Sequence, residues 1–169
     1  MTRASPPRAS SAVQLVPVAA AMHPVVAELH RRCFEDHWNA YTVGQVMRMA
    51  GAFGYIAVRR SDDEAIPVGF ALASGAIDEW ELLSLGVLPE HRRGGIARML
   101  VQAVIDEATA RGADKLFLEV AEDNMAARKL YAAFGFMPIG RRPGYYKRRH
   151  GPAIAALTLR RSLRTDLAG

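Results

Sequence analysis

The segment Pro89-Glu90-His91-Arg92-Arg93-Gly94-Gly95-Ile96-Ala97 concentrates the residue types that hold an anion. It joins an apolar, strand-like run to the start of a helix-like one, where unpaired backbone N–H groups and the positive end of the helix dipole converge. Gly94 and Gly95 carry no Cβ, so the backbone can wrap closely around a bound group, and Arg92 and Arg93 add positive charge. This is chemistry for a diphosphate. The segment fits neither G-x-x-x-x-G-K-[ST] nor G-x-G-x-x-G, so nucleoside-triphosphate and dinucleotide binding have no support. An ordinary turn rich in Gly and Arg is the plain alternative. A second candidate is Glu119, the charged residue in the apolar run Leu116-Phe117-Leu118-Glu119-Val120. A carboxylate there is expected to be partly desolvated, which raises its pKa and makes it a better base. Pairing with one of the chain's many arginines is the competing explanation. Tyr131 shares a helical face with Leu130 and Phe134, as a core tyrosine bonded to a carbonyl would.

The periodicity of the chain supplies a scaffold for these residues. Residues 13–16 form a short apolar run, Pro24 stands where a helix can begin, and Val25, Val26, Leu29 and Cys33 recur at helical spacing. A second helix is predicted over 42–49 with Thr42 as its cap. Residues 53–58 and 68–73 read as strands on either side of the polar turn 61–64, a hairpin, and 82–88 as a strand closed by Pro89. After Gly94-Gly95 the period changes. Ile96, Leu100, Ala103 and Val104 line a helical face that Gly112 ends. Residues 115–120 form a short strand; Asn124 then caps a helix that buries Ala127, Leu130, Tyr131 and Phe134 and stops at Gly135. Strands near 141–147 and over 154–159 complete the pattern. The order predicts an α/β domain in which the strands flanking the helix after Gly95 are parallel.

Composition sets outer limits. A chain of 169 residues has room for one domain with one substantial core, placed at 12–162, with a disordered Arg-, Ser- and Pro-rich leader at 1–11 and a tail at 163–169. No stretch approaches the roughly 20 continuous apolar residues of a membrane span. The single cysteine, Cys33, excludes an intrachain disulfide and any multi-cysteine metal site, and no metal is expected. The net charge of +5 is carried largely by Arg141, Arg142, Lys147, Arg148, Arg149, Arg160, Arg161 and Arg164. No RNP-type aromatic signature accompanies that charge, which disfavours direct nucleic-acid binding. No exposed heptad or apolar stripe reports an oligomeric state.

Arg92, Gly95 and Ala97 match the form [RQ]-x-x-G-x-[GA], and the run from Asn124 through Ala127, Leu130 and Tyr131 to Gly135-Phe136 matches N-x-x-A-x-x-L-Y-x-x-x-G-F. In that order the two blocks resemble the pyrophosphate loop and the following helix of the GNAT superfamily of N-acetyltransferases. Segments 33–38, 81–87, 116–124 and 140–146 are similar, within it, to the bacterial ribosomal-protein-alanine N-acetyltransferases, and the resemblance runs from residue 28 to residue 159. It implies a mixed, mostly antiparallel sheet splayed between two parallel strands and flanked by helices. It implies a cytoplasmic enzyme that takes acetyl from acetyl-CoA and gives it to the N-terminal α-amine of a protein, a ribosomal one in that subfamily. The resemblance places the general base at Glu119 and the acid for the departing thiolate at Tyr131. Glu81 is a reserve base or a holder of the acceptor's amine. The backbone of Leu85, Gly86 and Val87 is assigned to the acetyl carbonyl and pantetheine, and Arg92, Arg93, Gly94, Gly95, Ile96 and Ala97 to the pyrophosphate. Asn124 contacts the pantetheine arm or is a plain N-cap, and Trp38, Tyr145 and Tyr146 form an acceptor groove.

The pattern breaks at the acceptor end. Lys147-Arg148-Arg149-His150-Gly151-Pro152 stands where the subfamily carries acidic residues, and Ala155 where it carries an aspartate. A basic loop repels a basic peptide unless Asp78, Glu79 and Glu81 compensate. A small amine or a lysine side chain is therefore the second acceptor reading. A module that binds acetyl-CoA without transfer is the third, and the presence of both Glu119 and Tyr131 counts against it.

Overall fold

The computed structural model describes residues 12–61 and 64–164. Along the chain these form β1 (Val13–Pro17), α1 (His23–Cys33), α2 (Ala40–Val46), β2 (Phe53–Arg60), β3 (Ala65–Ala76), β4 (Glu79–Val87), α3 (Ile96–Ala110), β5 (Lys115–Ala121), α4 (Met125–Ala133), β6 (Met137–Tyr146) and β7 (Ile154–Ser162). The predicted leader and residues 165–169 of the predicted tail lie outside the described residues. Among the described residues no helix is long and apolar enough to cross a membrane.

The strands make one sheet in the order β1-β2-β3-β4-β5-β7-β6. Every neighbouring pair is antiparallel except β4 and β5, because α3 carries the chain back to the start of the sheet between them. The mixed, mostly antiparallel architecture expected from the sequence is the one observed. Helix α3 buries Ile96, Leu100, Val101, Val104, Ile105 and Ala108 against one face of the sheet. Burial of each large side chain contributes about 1.5–3 kcal/mol. Helices α1 and α2 cover the other face through Val26, Leu29 and Val43, which pack with Ile56, Phe70 and Leu72. Central strand β3 is buried continuously over 68–74, as a strand covered on both faces must be.

Several boundaries differ from the sequence reading. Helix α2 is capped by Asn39, not Thr42: the Asn39 carboxamide oxygen accepts from the Thr42 N–H (2.9 Å) and hydroxyl (3.2 Å), which makes Thr42 a donor inside the first turn. Strand β4 begins at Glu79 because Glu79-Trp80-Glu81-Leu82 alternates exposed and buried, a period-2 signal that a search for continuous apolar runs passes over. Strand β6 begins at Met137 and is exposed along almost its whole length, so no apolar period marked its start.

The feature that shapes the site is a parting of β4 from β5. The two strands pair only over Glu79–Leu82 and Lys115–Leu118. On its other edge β4 stays with β3, but Leu72 lies opposite Ser84 and Ala73 opposite Leu82, so Leu83 is a bulged residue. A bulge bends its strand and increases local twist. It falls where Leu82 and Leu118 part, and it leaves the β5-side backbone edge of residues 83–87 without a strand partner. It also rephases the side chains. Trp80, Leu82, Leu85 and Val87 join the α3-side core, while Gly86 faces Phe70 and Cys33 of the α1 side.

The connection from α1 to α2 is organised by His30, a buried histidine. Its ring stacks on Trp38 (centroids 4.7 Å apart, 16° between planes) and lies beside Phe34 and Phe70. Its Nδ1 accepts the Trp38 backbone N–H at 3.1 Å, which requires the neutral ring. Burial, with a smaller push from His37 and an opposing pull from Asp36, lowers its pKa from 6.5 to about 4. The unfolded chain therefore takes up this proton first as pH falls. The contribution is complete above pH 6.5 and is lost progressively towards pH 4, amounting to about 2–3 kcal/mol. Urea titrations at pH 7 and pH 4.5 should show a smaller loss for His30→Leu than for the wild type; parallel losses would remove His30 as the origin.

Candidate active site

The anion turn follows a short 3-10 segment, Pro89–His91. Arg92 turns back to donate from Nε to the Val87 carbonyl at 3.0 Å, which ties the turn to the end of β4. Arg93 (φ 64°) and Gly95 (φ 80°) adopt left-handed backbone conformations. Gly95 is the N-cap of α3; no side chain caps the helix and no acidic residue lies in its first turn. A Cβ at Gly95 would meet no protein atom within 4 Å, and one at Gly94 would meet only the His91 carbonyl oxygen at 3.7 Å. The glycines are thus not required by internal packing on that side. An uncapped helix start, Cβ-free backbone facing open space and flanking arginines fit a diphosphate. Ile96 is buried and anchors the turn from below; Ala97 is half-buried.

The parting of β4 and β5 brings the proton-transfer candidates together. Glu81 and Phe117 are neighbours in register, and Glu119 follows on the same side of β5. The Glu119 side chain is 18% exposed and pairs with Arg142 of β6 at 3.2 Å. This is the arginine pairing that competed, in the sequence, with a simply desolvated carboxylate. The raised carboxyl is Glu81: burial and then the Glu119 charge push it above the ordinary value, against the pull of Arg142. Tyr131 of α4 is buried, packs edge-on against Phe136 with centroids 5.7 Å apart, and makes no hydrogen bond through its hydroxyl to the described residues. It is therefore not the carbonyl-bonded core tyrosine of the ordinary explanation. Burial, with help from Tyr146, pushes its pKa up to about 12. Tyr146 is itself raised by burial and then by Glu119 and Tyr145, and Tyr145 and Tyr146 meet at right angles with centroids 5.1 Å apart. Glu81, Glu119, Arg142, Tyr146 and Tyr131 thus form one interacting set.

The other predicted site residues are placed as follows. Leu85, Gly86 and Val87 lie on the freed edge of β4. Asn124 caps α4, its side-chain oxygen accepting from the Ala127 N–H at 3.1 Å. Trp38 stacks on His30 and has no ring contact with Tyr145 or Tyr146. The α1–α2 connection and the β6–β7 loop do approach each other, with Phe34, Glu35, His37 and Arg149 lining a cleft of about 440 Å³. Asp78 and Glu79, invoked to offset the basic loop, lie at the opposite end of β4, where Glu79 pairs with Lys115. Part of that offset comes from Asp123, which pairs with Arg148 at 2.7 Å. In the sequence Arg142 stands out only as part of the basic patch of the last quarter. Its pairing is hidden in the sequence because Glu119 lies two strand positions and one intervening strand away in the sheet rather than near along the chain. No group of metal-binding side chains occurs among the described residues.

A splayed β4–β5 pair, an anion turn at the start of the helix between those strands, and a carboxylate–tyrosine set in the opening define an acyltransferase of the GNAT type. The Acetyltransferase (GNAT) family model matches residues 23–136, and the chain belongs to that family. It is similar to the [ribosomal protein bS18]-alanine N-acetyltransferase of Haemophilus ducreyi, with 33% identity over 126 residues, 72% of this chain and 86% of that enzyme. The enzyme of the same name from Escherichia coli K12 is 39% identical over 77 residues, 46% of this chain and 52% of its own length. Among solved structures, the ribosomal-protein-S18-alanine N-acetyltransferase from Escherichia coli superposes with a TM-score of 0.81 at 23% identity, covering 94% of this chain and 98% of that one. Arabidopsis thaliana NAA60 in complex with a bisubstrate analogue superposes with a TM-score of 0.75 at 20% identity, covering 88% and 98%.

Proposed function

We propose that the chain transfers acetyl from acetyl-CoA to the N-terminal α-amine of a protein, with Glu119 as general base and Tyr131 as general acid. The observation that supports this reading is that Glu119, next to the point where β4 and β5 part, is linked through Tyr146 to the buried Tyr131, in a chain that also carries an uncapped anion turn at the start of α3. When bound, acetyl-CoA supplies an acetyl group activated as a thioester. The turn Arg92, Arg93, Gly94, Gly95, Ile96 and Ala97 holds its pyrophosphate, and the freed backbone edge of Leu85, Gly86 and Val87 is available to the pantetheine and the acetyl carbonyl. Asn124 has its side-chain nitrogen left for the same arm. Glu119 takes a proton from the acceptor ammonium. Tyr131 gives one to the departing sulfur, a role suited to a hydroxyl that stays protonated far above neutral pH. The acceptor enters past Tyr145 and Tyr146, with Trp38 on the α1 side.

The similarity to bS18-alanine N-acetyltransferases favours a ribosomal protein beginning with alanine as acceptor. One observation favours the second reading, a small amine or a lysine side chain. Lys147 and Arg149 make no ion pair among the described residues, so their charge faces an incoming basic peptide unopposed. An acetyl-CoA assay against peptides with varied first residues, run beside small amines, separates the two. Thiol release confined to alanine-first peptides supports the protein reading, and activity on small amines alone overturns it. Tyr131→Phe should lower single-turnover transfer by about 10–100-fold, at or below the bottom of the usual 10²–10⁴-fold range for proton transfer because a thiolate leaves with little help, while the melting temperature stays near wild type. Unchanged turnover would remove Tyr131 from the acid role.

A further inference from the structure

Arg142 occupies an unusual place. It is the last residue of β6 in regular register with β7, opposite Ala156; the next pair is Tyr146 with Ile154, so Pro143, Gly144 and Tyr145 bulge out beyond it. Gly144 takes φ 64° within that bulge. From this position the Arg142 side chain crosses β7, whose residues there, Ala156 and Thr158, are small, and reaches Glu119 on β5. Its guanidinium also lies 5.5 Å from the centroid of the Tyr145 ring. Glu119 is well covered but Arg142 is 61% exposed, so the arginine is held by its two partners rather than by packing. Two carboxylates that share a site without a cation tend to share one proton as well.

We propose that Arg142 is a positioning residue for acceptor recognition: it fixes Glu119 and lets Glu81 and Glu119 be charged together, leaving a site of one net negative charge matched to a single ammonium ion. The proposal rests on the reading of Glu119 as base. The groups facing Glu119 are Glu81 from β4 and Arg142 and Tyr146 from β6, with Tyr131 of α4 behind Tyr146. Its neighbour on β7 is the uncharged Thr158. The acceptor therefore arrives as the ammonium form abundant at neutral pH and is deprotonated in place. Without the guanidinium, one carboxyl of the pair keeps its proton to a higher pH. The site then loses both its attraction for ammonium and its ionised base until the pH is raised.

The test is the pH profile of kcat/KM for a peptide acceptor in wild type, Arg142→Gln, Arg142→Lys, Glu119→Gln and the double variant Glu119→Gln/Arg142→Gln. Arg142→Gln should move the acidic limb upward by about one pH unit, a loss of about tenfold at pH values below the wild-type limb that is recovered at higher pH. The acceptor KM should rise while the KM for acetyl-CoA is unchanged, and Arg142→Lys should restore most of the loss. Adding Arg142→Gln to Glu119→Gln should lower activity no further, because Arg142 acts through Glu119. An unmoved limb in Arg142→Gln beside an inactive Glu119→Gln overturns the positioning role and leaves the base in place. A Glu119→Gln enzyme with wild-type activity and profile overturns the base, and the positioning role with it.

Discussion

Replacing Glu119 by glutamine should lower kcat for acetyl transfer about 10²–10⁴-fold at neutral pH, the range associated with a positioned proton acceptor. Glutamine keeps the shape of the side chain and removes only its charge and basicity. The ion pair lost with it joins Glu119 to a mostly exposed arginine, and pairs of that kind contribute about 0–1 kcal/mol. The variant should therefore fold, bind acetyl-CoA as the wild type does, and melt within a few degrees of it. Glu81→Gln should have the smaller kinetic effect, since Glu81 sits where β4 and β5 are still paired and only adds charge beside the acceptor, whereas Glu119 stands past the point where they part. Single-turnover rates for both variants decide the matter. If Glu81→Gln is the more damaging, the base moves to β4. If both retain rates within tenfold of wild type, no carboxylate base operates and the acceptor must arrive already deprotonated.

Gly95→Ala should damage donor binding more than it damages the fold. At φ 80° an L-residue incurs about 1–2 kcal/mol of strain, but the added methyl meets no protein atom within 4 Å. It projects instead from the backbone that caps α3, where a diphosphate would have to come close to the N–H groups. Loss of one charge-assisted contact there, about 1.5–3 kcal/mol, corresponds to roughly 10–150-fold in affinity for acetyl-CoA. Gly94→Ala is the cleaner companion. Its φ is not positive, and its Cβ makes only an ordinary contact with the His91 carbonyl, so any loss it causes belongs to the ligand alone. Titration of acetyl-CoA by calorimetry, with melting curves alongside, separates strain from binding. Affinity at the wild-type level in both variants would take the pyrophosphate away from this turn.

The parts of this molecule legible in the sequence are those where one local period or one local motif carries the information. Helix α3 was visible from Ile96, Leu100 and Val104, and the capping of α4 by Asn124 from its position before an apolar face. The anion turn was visible because the necessary groups are consecutive. The parallel pairing of β4 with β5 followed from the helix between them. What the sequence concealed depends on registers between strands distant along the chain. No residue type announces the bulge at Leu83; it exists because Leu72 and Ala73 choose Ser84 and Leu82 as partners. Arg142 looked like one more surface arginine, and only the β5-β7-β6 order sets it over Glu119. His30 gave no signal either, since a histidine on an amphipathic helix reads as exposed until Trp38 folds over it. The cap at Asn39 rather than Thr42 is a smaller case of the same kind, decided by which of two polar side chains reaches back to a free N–H.

The short register between Glu79–Leu82 and Lys115–Leu118 makes the sheet mechanically uneven. Strands β1 to β4 form one continuous ladder and β5, β7 and β6 another, and the two are stitched together at one end only. Beyond Leu82 the seam stays open where the bulge at Leu83 bends β4, and the backbone donors and acceptors of residues 83–87 on that edge have no strand partner. On the function proposed above, an acetyl-CoA lying along that edge would be a substrate and also a brace, adding hydrogen bonds that a longer pairing of β4 with β5 would otherwise make. Amide exchange should accordingly be fastest along residues 83–87 in the free enzyme and slow there when acetyl-CoA is added. At a hundredfold excess over its dissociation constant the donor should stabilise the whole domain by about 2.7 kcal/mol.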